Sequence, residues 1–216
     1  MPKNNINNKL EAFFIGFKHQ TYKKGEILVR SDEEPQGVYY LKNGLVRQYS
    51  ISKDGEELTL NMYKPETFFP LMSAFTSIPN TYYFEAATDV QVFKAPQDVV
   101  LNFLKNESDI SNDLITRLYK GMHGLLTRIE YLMSGSAYSK IIYMLLNTAY
   151  RFGERNHAKE VEVTITHREI SALTGLTKET ISRECTRLSE RGLIENTKNH
   201  VVIKSLQMLE EELLGA

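Results

Sequence analysis

The stretch TGLTKETISRECTRL, residues 174–188, concentrates side chains that can exchange hydrogen bonds with a flat, patterned partner. Helical spacing from Thr177 sorts them into two stripes. One holds Ile181, Cys185 and Leu188, and the other holds Lys178, Glu179, Ser182, Arg183, Thr186 and Arg187. The first stripe can be buried. The second sets a carboxylate and a guanidinium one turn apart, which suits a solvated face closed by an i,i+4 ion pair and equally suits a surface that meets base edges. In the latter case Arg183 can donate twice to guanine O6 and N7, and Glu179 can accept from a cytosine amino group. Enzyme chemistry has no such foothold. The histidines at 19, 123, 157, 167 and 200 come without an HExxH pair, a GxSxG elbow or a Walker-type glycine loop, so no enzyme is expected. His167, beside Arg168, is better placed for a phosphate contact than for acid–base work.

The elements around this stretch would position it. Thr166 can cap a short helix HREISALT with Glu169 three residues on, Gly175 can turn sharply with positive φ, and Thr177 can cap the next helix. Gly192 stops that helix, LIENTKNHVVIKS reads as a β-hairpin, and a short helix ends the sequence. Helix, glycine turn, helix and hairpin is the layout of a winged helix-turn-helix. Small Ser171, then Gly175, then apolar Ile181 fit two helices crossing steeply at a turn. The polar stripe is then expected in the DNA major groove, its N-terminal residues on base edges. Arg187, Lys198 and Lys204 read as phosphate contacts or as plain solvated surface. Thr166, His167, Thr177, Lys178 and Thr180 are candidate auxiliary contacts.

Upstream, the periodicity changes near residue 105. Before it, EILVRS, GVYYLKNG, LVRQYSIS and EELTLNMY alternate with the turn signals KKG, KNG and SKDG, and YYFEAATDVQVFKA adds two more strands. The spacing predicts an antiparallel sandwich or barrel. Pro96 opens a short helix through Phe103. From Ser108 to Met133 the pattern is helical, with Ile115, Leu118, Met122, Leu125, Ile129 and Leu132 spaced as an a/d seam that needs a partner. A parallel homodimer supplies one. Gly121 and Gly124 lower helix propensity and suit close approach of a second backbone. Leu114, Tyr119, Leu126 and Met133 form a further stripe expected against the chain's own β-domain. Ser134-Gly135-Ser136 reads as a hinge, and AYSKIIYMLLNTAYRF as a core helix. The expected class is α+β: a jelly-roll-like antiparallel β-roll effector domain over 1–106, a dimerisation helix and hinge over 107–135, and a DNA-binding domain over 136–216.

Bulk composition narrows the partners. The 216 residues are 42% hydrophobic and 25% charged, with net charge -1, so attraction to nucleic acid must be local. One cysteine excludes an intrachain disulfide framework, a multi-cysteine zinc site and a cysteine-ligated iron–sulfur cluster. No metal site or bound cofactor is expected. No segment approaches the roughly 20 apolar residues of a membrane span, and MPKNNINNKLEAFF lacks a signal-peptide core, so a cytoplasmic protein is expected.

These features together resemble the Crp–Fnr superfamily of bacterial transcription regulators, over nearly the whole sequence. THREISALTGLTKETISRECTRLSERGLI is similar to the family's DNA-binding signature. The resemblance implies that Glu179, Ser182 and Arg183 read bases, in the ETISR form closest to the oxygen-responsive branch. It also implies a homodimer on an inverted-repeat operator with TGA-like half-sites, and RNA polymerase as a further partner. Lys178 stands where the cyclic-AMP branch has arginine. The effector side departs from the pattern: Phe69-Pro70 and Asn80-Thr81 replace the Gly-Glu and Arg-Ser or Arg-Thr pairs of cyclic-AMP-binding members. A buried phosphate without a cation is poorly compensated, and residues 67–91 contain no arginine or lysine, so cyclic AMP is not expected to bind. The haem-binding branch uses a β-domain histidine, and here only His19 is on offer. Phe68, Phe69, Phe75, Tyr82, Tyr83 and Phe84 form a candidate pocket for a less polar effector, or simply core. The competing function is a β-roll and coiled-coil scaffold that binds protein without reading DNA.

Overall fold

The structure is a computed structural model that describes residues 3–76, 78–197 and 200–215. It divides into two compact units, Met1–Lys120 and Gly121–Ala216. In the first, α1 (Lys3–Phe14), β1 (Lys18–Tyr22), β2 (Ile27–Val29), β3 (Val38–Asn43), β4 (Val46–Ile51), β5 (Glu57–Tyr63) and β6 (Thr67–Phe69) are followed by α2 (Met72–Thr76), β7 (Tyr83–Ala86), β8 (Val90–Ala95), α3 (Gln97–Asn106) and the start of α4 (Ser108–Ser134). The strands form two antiparallel sheets, ordered β1-β8-β3-β6 and β2-β7-β4-β5. This is the expected antiparallel roll.

Strand alternation divides the core in two. Tyr39, Leu41, Phe69 and Val92 point between the sheets, where they meet Val46, Phe84 and Ala86. Their neighbours Val38, Tyr40, Phe68 and Phe93 point the other way, onto Ile6, Leu10 and Phe14 of α1, Val100 and Leu104 of α3, and Ile110 of α4. Buried on both faces, β3 reads as the continuous apolar run VYYL rather than as an alternation. The stripe Ile6, Leu10 and Phe14, at four-residue spacing, is why KNNINNKLEAFF folds as a helix despite its asparagines.

The candidate effector pocket does not hold together in this geometry. Phe68 and Phe69 are adjacent on β6 and face opposite layers, Phe68 towards Phe14 and Phe69 stacked on Phe84 at 5.3 Å. Tyr83 lies beside Tyr49, ring centroids 5.1 Å apart, while Phe75 is 55% exposed. Of the remaining candidates, Tyr82 alone joins Phe69 and Phe84 at the inter-sheet core. The period-two rule separates the cluster that sequence adjacency suggested.

In α4, Ile110 is buried and Leu114 packs on the same core, as expected. Tyr119, Leu126 and Met133, expected to pack likewise, are 63%, 59% and 83% exposed. The reason is periodicity: at about 3.6 residues per turn these three side chains lie roughly 140–180° around the helix from Ile110, whose face meets α1 and α3.

In the second unit, α5 (Ala137–Phe152), β9 (Glu154–Arg155), β10 (Val161–Thr164), α6 (His167–Thr174), α7 (Lys178–Glu190), β11 (Ile194–Asn196), β12 (His200–Ile203) and α8 (Leu206–Leu214) follow the end of α4. The strands pair as β11-β12-β10-β9. The break between α4 and α5 is Gly135-Ser136, and a Cβ on Gly135 would come within 2.5 Å of the Tyr131 oxygen. Ser136 then caps α5 by accepting from the Ser139 N–H. Ile141, Ile142 and Leu145 of α5 pack against Ile170 of α6 and Ile181, Cys185 and Leu188 of α7.

Candidate nucleic-acid interface

Both motif helices begin as the residue types require. Thr166 and Glu169 form a reciprocal capping box, with the Glu169 N–H donating to Thr166 Oγ1 at 3.2 Å and the Thr166 N–H to Glu169 Oε2 at 2.7 Å. The first helix ends at Gly175 with φ 71°, in the left-handed region that glycine enters freely. Ser171 Oγ donates to the Leu176 oxygen at 2.7 Å and so fastens the turn. Thr177 caps α7, accepting from the Thr180 N–H at 3.3 Å.

With Ile181, Cys185 and Leu188 fully buried, the opposite face of α7 is fixed outward. His167, Lys178, Glu179, Ser182, Arg183, Thr186, Arg187 and Glu190 line one open depression there. The structure thereby brings together the three expected base readers and the expected contacts His167, Lys178 and Arg187. Thr177 is exposed and Thr180 half-buried beside them. The Glu179 carboxyl is held below its usual range by its own backbone N–H and the Thr177 hydroxyl, so it stays an acceptor at neutral pH.

Three details left open by the sequence take a definite form. The i,i+4 pair between Glu179 and Arg183 is absent among the described ion pairs, because Arg183 turns to its neighbour Glu184: Nε donates to Oε1 at 3.0 Å. Arg187 lies 4.2 Å above the Tyr138 ring and 3.8 Å from Glu184 Oε2, anchored more firmly than a free surface cation. Lys204 stands at the base of the hairpin, after β12, and its ammonium meets Glu160 at 2.9 Å and Glu195 at 2.7 Å. A lysine neutralised by two carboxylates is not a free phosphate contact. Lys198 lies outside the described residues.

Sequence reading missed Glu184, Tyr138 and Asn196. Glu184 sits on the border between the two stripes, one residue after one arginine and three before another, and that spacing was its available signal. Tyr138 and Asn196 come from elements distant in sequence: Asn196 Nδ2 lies 3.2 Å from His167 Nε2 and links the hairpin to the start of α6. Burial, then the nearby Glu184 charge, pushes the Cys185 thiol up to about 11, so it is an inert core group rather than a ligand. Among the described residues no cluster of histidine, cysteine and carboxylates could hold a metal, and no helix is long and apolar enough to cross a membrane.

A short capped helix crossing a second whose polar face is turned outward, beside a two-stranded hairpin, defines a winged helix-turn-helix DNA-binding unit. Comparison with known proteins agrees, matching residues 19–107 to the cyclic nucleotide-binding domain family and residues 139–212 to the Crp-like helix-turn-helix domain family. The regulator ArcR of Staphylococcus haemolyticus is 29% identical over 197 residues, 90% of this chain and 86% of that protein. A CRP-like cAMP-activated global regulator of Mycobacterium tuberculosis is 23% identical over 87% of this chain and 84% of its own length. A solved Crp/Fnr-family regulator from Thermus thermophilus superposes with TM-score 0.73 at 24% identity, covering 92% of this chain and 99% of that one. The chain belongs to the Crp–Fnr superfamily: it is a DNA-binding transcription regulator and not an enzyme.

Proposed function

We propose that this regulator works in the cytoplasm as a homodimer that reads an inverted-repeat operator with TGA-like half-sites, independently of cyclic AMP, and acts through RNA polymerase. The observation that carries the reading is the outward face of α7, where Glu179, Ser182 and Arg183 occupy the first turns of a helix whose opposite stripe is locked in the core. Arg183→Ala is expected to cost about 1–3 kcal/mol in operator affinity and to relax selection at one guanine per half-site. Unchanged selectivity in that variant contradicts the assignment.

The seam supports the dimer. Ile115, Leu118, Met122, Leu125 and Ile129 are each about half exposed or more, from 48% to 68%, an apolar stripe that one chain leaves in water. A Cβ at Gly121 or Gly124 would meet nothing within 4 Å, so a second backbone has room there.

Cyclic-AMP independence is supported by what fills the roll. Phe69 takes part in the aromatic stack with Phe84, and Tyr63 lies 5.0 Å from it. Asn80 is 7% exposed and spends its amide on the Arg30 and Tyr82 oxygens at 2.9 and 2.8 Å. Neither offers a cation to a cyclic phosphate, so the response named for the mycobacterial relative is not carried over. Operator affinity is expected to stay level on titration with cyclic AMP and cyclic GMP. A tenfold tightening, about 1.4 kcal/mol, overturns this part of the proposal.

A further inference from the structure

Glu184 is the only charged residue among the described residues that is buried, at 8% exposure. It lies at the edge of the α7 core stripe and points its carboxylate along the border of the reading face. Arg183 Nε donates to Oε1 at 3.0 Å, and Arg183 Nη2 lies 3.0 Å from the same oxygen. Arg187 Nη1 stands 3.8 Å from Oε2. A carboxylate taken out of water is costly unless it is paired, and the two arginines are its partners here.

We propose that Glu184 is a positioning residue that sets base selectivity by holding one edge of the Arg183 guanidinium and presenting the other to a guanine. This rests on the DNA-reading function proposed for α7. A guanidinium has five N–H donors in a rigid plane. Glu184 takes the Nε side, which leaves the two Nη1 hydrogens and one on Nη2 as a fork matched to guanine O6 and N7. Holding the side chain beforehand reduces the rotamer freedom it would otherwise lose on binding. The buried negative charge also offsets part of the positive field of Arg183 and Arg187, which weakens attraction to phosphates of any sequence. Both effects raise selectivity, one by improving the specific contact and the other by reducing the unspecific one.

The test uses the full chain and the duplex it selects from a random pool. A matched duplex carries 7-deazaguanine at the guanine whose choice Arg183→Ala relaxes, which deletes the N7 acceptor alone. Wild-type protein is expected to lose at least about fivefold in affinity on that change, and Glu184→Leu less than about twofold. Glu184→Gln keeps size and one acceptor oxygen, and should fall between; it carries the test if the leucine variant fails to fold. A purely structural role for Glu184 would weaken both duplexes by the same factor, so an equal 7-deazaguanine penalty in wild type and variants overturns the proposal. If Arg183→Ala relaxes no guanine, or wild type shows no penalty, the reading of α7 fails first and this inference with it.

Discussion

Arg128 of α4 donates from Nη2 to the backbone oxygen of Leu173, in the last turn of α6, at 2.8 Å. The carbonyls at a helix end lack intrahelical donors, so this position gains both a hydrogen bond and a favourable charge–dipole contact. Burial pulls the Arg128 pKa below its usual value, yet a guanidinium remains charged at any ordinary pH. Beside it Tyr143 of α5 donates to the Gly124 oxygen at 3.3 Å and stacks on Tyr131, centroids 4.5 Å apart. The distal part of the seam helix is thus fastened to the motif that meets DNA. A rotation of that helix has a direct mechanical path to α6.

Removing the fastening should be measurable. Arg128→Leu deletes a half-buried charge-assisted hydrogen bond and is expected to destabilise the C-terminal unit by about 1–3 kcal/mol in denaturant titration. A change below about 0.5 kcal/mol, the usual range for surface positions, would show that the contact contributes nothing.

The seam predicts an assembly phenotype separate from folding. Leu118→Glu and Leu125→Glu each put a charge in a stripe already exposed in one chain, so the fold should survive while self-association weakens. Sedimentation equilibrium should report a shift from dimer mass to monomer mass, with operator binding reduced in parallel. Dimer mass retained in both variants argues that another surface joins the protomers.

Salt dependence separates the two cations that sequence reading grouped together. Arg187→Ala should weaken binding to all duplexes alike and lower the slope of log affinity against log salt by about one unit. Lys204→Ala should leave the slope where it was, because Glu160 and Glu195 already hold the ammonium. A slope reduced by Lys204→Ala means that DNA displaces those carboxylates.

These contrasts mark where the sequence was legible. Local rules found the capping box at Thr166 and Glu169, the left-handed Gly175, and the outward face of α7, since each depends on residues within one or two turns. They found the long helix and its seam for the same reason. They failed where the deciding contact was distant: α1 is recognisable from Ile6, Leu10 and Phe14 only once a sheet face exists to receive them. Lys204 reads equally as a phosphate contact or solvated surface until the fold brings Glu160, just before β10, and Glu195 of β11 to it. Phe68 and Phe69 read as one pocket or as core, and the pleat makes them core in opposite layers. Glu184 falls in neither stripe of α7, and it is the residue that pairs with both Arg183 and Arg187.

The thiol of Cys185 gives a pH prediction. Burial raises it from its ordinary value of 9.0 to about 11, so the unfolded chain loses the proton first. Its contribution to stability is fully present below about pH 9 and is lost as pH rises through about 11. Denaturant midpoints should fall over that window, and Cys185→Ser, which places a hydroxyl in the same core site, should flatten the fall. An identical alkaline slope in both proteins would assign the effect to other groups.

The most direct measurement is selection of bound duplexes from a random pool by the wild-type protein, followed by sequencing. Two recognition helices related by a two-fold axis should enrich an inverted repeat whose half-site centres lie about one helical turn, roughly 34 Å, apart. Each half should contain a TGA-like core with a guanine that Arg183→Ala ceases to select. Enrichment of sequences without dyad symmetry, or of none above the starting pool, would contradict the account of this chain as a dimeric reader of DNA.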